Sequence, residues 1–396
     1  MEDTKKIRKQ LTAIIGVIIA ILIIPLVGEF IHNHGSIPKD LFEFPPTSPQ
    51  EKAGFSLPVF IVFAASSLFG IVLYIYPWIF GFKRPPKEEI SEKVKKEKLP
   101  LWFWIGMLLF VTTALIMWGK FSQPKIIINF SVIPLFWGFS FIIDGLVYRR
   151  NSGNSIISNM PRTIIGIGIA SISGWLIFEY LNFFVNDNWY YPMADLVTTS
   201  EFYVYALVGS TGLMPMAFEM YSLLNTFKGL QHRYSFGRKI TLPRKLQYAI
   251  LLFTLGITFI IGYFPNQMFF IIWLAPLIIF SILLDILGLW TPFKPIAQKG
   301  DWTPLALICL AEFIMGFLCE FWNYLSAFHN PLLTHNPDYW VYSIPYVNIL
   351  HVFEMPMLGL FGYIPFGAYI WVWWIVVAFT LNIPPYIVKK DSYTGF

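Results

Sequence analysis

The sequence predicts an all-α fold: a polytopic membrane helix bundle of about eleven transmembrane helices, eight of them in tandem four-helix repeats with parallel pseudo-two-fold symmetry. Three observations predict it. Of 396 residues, 56% are apolar and only 13% charged, against about 25% charged in a soluble domain, which excludes both a soluble globular fold and a disordered chain. The apolar residues gather into runs close to the roughly 20 residues a helix needs to cross the hydrocarbon core. Rare charged residues recur in one order at a fixed distance along the chain.

The runs cover 11–28, 55–81, 101–118, 126–147, 163–185, 205–227, 246–264, 268–289, 304–325, 344–363 and 368–385. Lys5, Lys6, Arg8 and Lys9 precede the first, as in a signal peptide, but no small-residue cleavage site follows Leu26–Phe30. It is expected to be a retained span. The basic stretches 82–99 and 225–245, Arg149, Arg150 and Arg162, and the pair Lys294 and Lys299 all fall on one side under this count. The Lys/Arg bias assigns that side, with the N-terminus, to the cytoplasm of a cell-membrane protein. Lys389 and Lys390 would then lie outside, against the rule, so the side of the C-terminus stays open. The expected organisation is 1–100, two helices with a basic loop; 101–227, repeat 1; 228–245, a basic linker; 246–363, repeat 2; and 364–396, a hydrophobic segment and tail.

The net charge of +5 is spread over loops and forms no nucleic-acid footprint. Cys309 and Cys319 lie ten residues apart in one run, on different helical faces, so neither a disulfide nor a metal site follows. His32, His34, His329 and His335 fall in outer loops without ligand spacing. No metal and no cofactor is expected.

The duplication rests on Phe139-Ser140 with Asp144 against Phe280-Ser281 with Asp285, and on Glu179 and Asn182 against Glu320 and Asn323, both at an offset of 141 residues. Further on, Trp189-Tyr190 is matched to Tyr339-Trp340 and Phe218-Glu219-Met220 to Phe353-Glu354-Met355. Each repeat holds an even number of crossings, so the copies share one orientation.

Acids inside a span are costly and are functional candidates by default. Asp144 and Asp285 lie near cytoplasmic helix ends and are expected to reach water. Glu179 and Glu320 each carry an asparagine at i+3, Asn182 and Asn323, on the same helical face, so a Glu–Asn hydrogen bond is expected. Glu219 and Glu354 are expected near mid-depth of the next span, converging on the same pocket, where one acid donates and another withdraws a proton. The alternative is a buried polar network that joins helices, at about 1 kcal/mol per hydrogen bond. Copy two adds Glu312 where copy one has Ser171, and His351 three residues before Glu354. On one helical face, His351 and Glu354 would hydrogen-bond, which favours the second copy as the active one. Trp189, Trp322, Trp340 and Phe353 are candidate walls of an aromatic pocket that stabilises a cation. Loops 186–204 and 326–343 are expected to cover it. The competing reading of the aromatics is an interfacial belt.

In this order the residues resemble the small, membrane-bound lycopene cyclases. Cys319-Glu320-Phe321-Trp322-Asn323-Tyr324-Leu325 resembles their Trp-Asp-Asn-Tyr helix. Tyr339-Trp340-Val341-Tyr342 resembles their Trp-x-Tyr element, and Phe353-Glu354-Met355-Pro356 their Pro-x-Glu-Glu helix. Copy one offers Phe178-Glu179-Tyr180-Leu181-Asn182, Trp189-Tyr190-Tyr191, Pro215 and Glu219. The resemblance spans about 101–363 and implies proton-initiated cyclisation or hydration of a long isoprenoid, carotenoid-like lipid without a cofactor. A proton-coupled small-molecule transporter and a non-catalytic multi-pass protein are the competing readings. The expected partners are an isoprenoid substrate and membrane lipids. Assembly into a homo-oligomer is left open, and no nucleic acid is expected.

Overall fold

A computed structural model describes residues 2–83, 96–119, 124–327 and 336–387. The centre of the basic segment between the second and third helices, His329, His335, Lys389 and Lys390 lie outside the described residues. The chain is mostly helical. Seven helices among the described residues are long and apolar enough to cross a membrane: Thr4–His32, Leu57–Ile75, Leu101–Gly119, Val132–Arg150, Pro161–Val185, Thr303–Ala327 and Gly359–Thr380. The protein is therefore an integral membrane protein with several crossings.

The helices are α1 (Glu2–His32), α2 (Leu57–Ile75), α3 (Leu101–Gly119), α4 (Lys125–Asn129), α5 (Val132–Arg150), α6 (Ile156–Asn159), α7 (Pro161–Asn182), α8 (Thr199–Ser210), α9 (Leu213–Asn225), α10 (Lys228–Tyr234), α11 (Arg244–Ile260), α12 (Ile271–Ile286), α13 (Lys294–Lys299), α14 (Thr303–Ala327) and α15 (Tyr363–Thr380). Four short strands accompany them: β1 (Trp189–Tyr190), β2 (Val341–Tyr342), β3 (His351–Val352) and β4 (Met355–Pro356).

Four helices form a central ring, in which α7 packs on α9, α9 on α14, α14 on α15 and α15 back on α7. Helix α5, backed by α3, flanks the ring at α9, and α12, backed by α11 and α1, flanks it at α15. The interior is aromatic, with Trp371, Trp374, Tyr369 and Phe178 fully buried. Helix α2 buries none of its residues.

Four of the expected spans are corrected. Residues 205–227 break into α8 and α9, because Pro215 has no N–H for the carbonyl of Thr211 and its ring crowds that turn. The runs 246–264 and 268–289 yield helices of 17 and 16 residues. The run 344–363 is not a helix at all. It carries Pro345, Pro356, Gly359 and Gly362, and it folds as the hairpin β3–β4 followed by a 3-10 turn. Phe353 and Glu354 form the two-residue hairpin turn, with Phe353 at φ 60°, as such turns require at their first central position. The last central helix is thus α15, and it begins two residues before Pro365 just as α9 begins two residues before Pro215.

Candidate functional site

Two buried glutamates, one on α7 and one on α14, organise the site. Glu179 Oε1 accepts from Trp189 Nε1 at 3.1 Å and from the Tyr191 hydroxyl at 2.5 Å. Glu320 accepts from Trp340 Nε1 at 3.2 Å, the Tyr342 hydroxyl at 2.8 Å and the Tyr363 hydroxyl at 2.7 Å. The same Trp-x-Tyr element thus serves each acid, Trp189-Tyr190-Tyr191 in one half and Trp340-Val341-Tyr342 in the other. By these bonds Trp189 shares its role with Trp340 and not with Tyr339, to which the sequence matched it.

The asparagines do not bond the glutamates. Asn182 Oδ1 accepts the Asn188 amide at 2.7 Å, and its Nδ2 donates to the Trp189 carbonyl at 3.3 Å. Asn323 Nδ2 donates to the Trp340 carbonyl at 2.8 Å, and its Oδ1 accepts the Trp340 amide at 3.2 Å. Each asparagine clamps the backbone that brings the tryptophan over its glutamate. Strands need backbone partners, and β1 and β2 supply the rest by pairing antiparallel, Trp189 opposite Tyr342 and Tyr190 opposite Val341.

Between the halves lies a cavity of about 340 Å³. Its walls include Trp175, Trp189, Trp340, Tyr191 and Tyr363, and three acids reach it: Glu179, Glu312 and Asp338. No lysine, arginine or histidine lines it among the described residues. Glu312 is 7% exposed, and none of the hydrogen bonds between described side chains involves it. Glu320 is fully buried behind its tyrosines and does not line the cavity. Asp338 is held above the usual carboxylate range by burial and by the neighbouring Glu179 carboxyl. Phe42 and Phe44, from the segment joining α1 to α2, close one side. That segment is tied down where the Tyr191 amide donates to the Pro46 carbonyl at 2.7 Å and Lys52 Nζ to the Val185 carbonyl at 2.7 Å.

The remaining predicted residues are elsewhere. Glu219 is fully buried in α9, its carboxyl meets that of Asp144, and it does not line the cavity. Its electrostatic neighbour is Asp144, which does not reach water. Asp144 accepts from Trp102 Nε1, Ser155 Oγ and the Ile157 amide at 2.8, 2.8 and 3.0 Å. Asp285 accepts from Gln247 at 2.6 Å. Glu354 sits in the hairpin turn rather than on a helix, and accepts from the Tyr339 hydroxyl at 2.6 Å. His351 is exposed and its Nε2 lies 3.0 Å from Asn348 Oδ1. Its expected bond to Glu354 is a helical-face argument that fails once the helix is absent. Counted from the proline near each helix start, Glu219 in α9 and Tyr369 in α15 each lie four residues on. Trp322 packs on Phe110, Phe136 and Phe139, and Phe353 on Phe317 and Phe321; neither lines the cavity.

Sequence reasoning missed Asp187 and Asp338, each two residues before its tryptophan. The repeated Asp-x-Trp-x-Tyr was the available signal. No protein-family model, curated protein or solved structure is detectably similar to this chain.

Proposed function

We propose that this chain is a cofactor-free membrane enzyme that protonates a carbon–carbon double bond of a long isoprenoid, carotenoid-like lipid, leading to cyclisation or hydration. The observation that carries the reading is Glu312, a buried acid with no hydrogen-bond partner among the described residues that faces an aromatic cavity together with Glu179. Burying an ionised carboxylate without partners costs several kcal/mol. Glu312 is therefore the group that holds the transferable proton. Glu179, which accepts two hydrogen bonds, is suited to the ionised state and to receiving a proton. Two carboxyls whose environments differ in this way divide the acid and base roles. In cyclisation, the Glu312 proton adds to one alkene carbon and the cation forms at the other. A second double bond of the lipid attacks it to close the ring, and a proton leaves to Glu179. The faces of Trp175, Trp189 and Trp340 stabilise the cation. The resemblance to membrane-bound lycopene cyclases agrees with this chemistry.

The reading includes a revised tandem repeat, with units of about 101–227 and 246–380 related by a two-fold axis along the membrane normal. Its support is the reciprocal pairing of β1 and β2: the first residue of one Trp-x-Tyr element faces the third of the other, and the middle residues face each other. That is the pairing of two equivalent strands about a local two-fold axis. The Lys/Arg bias supports a cytoplasmic N-terminus.

The test is conversion of lycopene by membranes carrying the wild type, Glu312→Gln or Glu179→Gln, normalised to folded protein. Each substitution is expected to lower the rate by about 10²–10⁴-fold, with thermal stability nearly unchanged. Wild-type rates from both variants, or no conversion by the wild type, would sink the proposal.

A further inference from the structure

The cavity that holds Glu312 and Glu179 reaches the surface of the bundle. Besides its buried acids it is lined by Leu176 of α7 and by Tyr203 and Leu207 of α8, and all three are exposed. One space thus contains both the acids and side chains that face the surroundings, between two helices. At one end of the gap α7 and α8 are joined, where Ser171 Oγ donates to the Ser210 carbonyl at 2.5 Å. At the other end aromatic rings roof it: Phe42 packs on Tyr180 and Phe183, and Phe44 on Tyr191 and Tyr203. Between these ends α8 fills little of the space, because its other cavity-lining residues are Ala206, Gly209 and Ser210. The opening lies at bilayer depth. Leu176 belongs to the crossing Pro161–Val185, about 13 Å from its nearer end at 1.5 Å per residue, within a hydrocarbon core about 30 Å thick. The surface around it is apolar, with Ile165 and Ile169 of α7 and Val204 and Val208 of α8 exposed.

We infer that the cavity is filled from the membrane, through the gap between α7 and α8, by a lipid-dissolved ligand that brings one end to Glu312 and leaves the rest of its chain in the bilayer. The inference rests on the proposed function for the choice of site, and adds the class of ligand and its direction of entry. Three observations select this route. The rim is apolar and at hydrocarbon depth, so it meets lipid and not water. The side toward the loops is covered by the rings of Phe42 and Phe44. A cavity of about 340 Å³ is at the small end of ligand pockets, which run from about 300 to 1,000 Å³, so it takes an end group, and the remainder of a long lipid has to pass the opening. Leu176, Tyr203 and Leu207 are the side chains it passes, and they set how wide a chain is admitted.

The test places the full chain in vesicles of palmitoyl-oleoyl phosphatidylcholine with 3-trifluoromethyl-3-phenyldiazirine, an apolar photolabel that dissolves in the lipid. Illumination expels N2 and leaves a carbene that inserts into C–H bonds. Labelling therefore needs neither conversion of a substrate nor a protonated Glu312, so failure of the proposed chemistry would leave this readout unaltered. Mass spectrometry compares labelling of Met315, a buried residue of the cavity wall, with that of Ile165, which is exposed on α7 and outside the cavity. In the wild type both are expected to be labelled, whereas a diazirinyl benzoate supplied in the water is expected to leave Met315 unlabelled. Leu176→Trp and, independently, Leu207→Trp are expected to lower the ratio of Met315 to Ile165 labelling by about tenfold, since the larger ring crowds the opening. Val204→Trp, at an exposed position of α8 that does not line the cavity, is expected to keep the ratio within about twofold of wild type, as surface changes do. Thermal unfolding in detergent verifies that each variant is folded, and the wild-type comparison of the two probes stands without any variant. Labelling of Met315 from the water to the level reached from the lipid, no labelling of Met315 from the lipid, or an unchanged ratio in both rim variants would overturn the inference.

Discussion

Glu179 and Glu320 hold corresponding positions on α7 and α14, and each is covered by a tryptophan and a tyrosine from a matching strand. One is open to the cavity and the other is sealed. The difference lies in two further positions. In the second half Gly316 leaves room for Tyr363, whose hydroxyl becomes an extra donor to Glu320. At the matching places the first half has Trp175 and Leu213. Leucine donates nothing, so Glu179 keeps a side toward the cavity. The bulk has been exchanged between neighbouring helices, and with it the degree of satisfaction of the carboxyl. Two similar settings thus leave one carboxyl fully enclosed and one facing the cavity.

The largest effect that tests this division is loss of each carboxyl. Glu320→Ala leaves Trp340 Nε1 and the hydroxyls of Tyr342 and Tyr363 without their acceptor, and each buried orphan donor costs about 1–3 kcal/mol. The expected destabilisation is about 3–5 kcal/mol. Glu179→Ala orphans two donors beside a cavity that relieves part of the penalty, and about 1–2 kcal/mol is expected. Unfolding in detergent, followed by tryptophan emission, measures both. Equal losses would mean that the open and sealed acids are structurally alike.

A smaller and sharper effect concerns the seal. Tyr363→Leu gives the second half the residue of the first, removing a hydroxyl and part of a ring at a cost of about 1–3 kcal/mol. It is also expected to make Glu320 reactive toward dicyclohexylcarbodiimide, an apolar carboxyl reagent, with the adduct located by mass spectrometry. In the wild type the reagent is expected to modify Glu312, the protonated acid of the cavity, but not Glu320. Modification of Glu320 in the wild type would break the distinction between the halves.

The helical, multi-span character was legible because apolar runs of full length leave few alternatives. The failures have local causes. Apolar content alone turned 344–363 into a span, although two prolines and two glycines argued against it. The tripeptide Phe-Glu-Met drew Glu354 onto Glu219, whereas the prolines at 215 and 365 define the helix starts and pair Glu219 with Tyr369. Glu320 and Glu312 are both legible as span acids, but which one faces open space depends on Gly316 and Tyr363, 47 residues apart. Phe42 and Phe44 reach the cavity from a segment with no local signal of that contact.

The smallest effect contrasts the two aspartates that precede the tryptophans. Burial raises Asp187 to about 7, against the opposing pull of Lys52, and burial lowers Lys52 to about 8, against the opposing pull of Asp187. For the aspartate, the folded form binds its proton more tightly than the unfolded one. That stabilisation is complete below the ordinary value of 3.8 and is lost as pH rises through about 7. For the lysine, the depressed value means stabilisation present above the ordinary 10.5 and lost as pH falls through about 8. The segment joining α1 to α2 should therefore be held most weakly between about pH 7 and 8 and more firmly on either side. Asp338 is raised by burial and by Glu179, with no cation among the causes, so its half should loosen in one direction only, as pH rises. Hydrogen exchange of the Tyr191 amide, bonded to the Pro46 carbonyl, reads the first half. The Trp340 amide, bonded to Asn323, reads the second. After correction for intrinsic exchange, Tyr191 protection should pass through a minimum that Trp340 does not share. Asp187→Asn should remove the acid arm of that minimum and Lys52→Met the alkaline arm. A Tyr191 profile that falls monotonically, or one that both variants leave unaltered, would show that the buried Lys52–Asp187 pair does not govern how firmly the first half is closed.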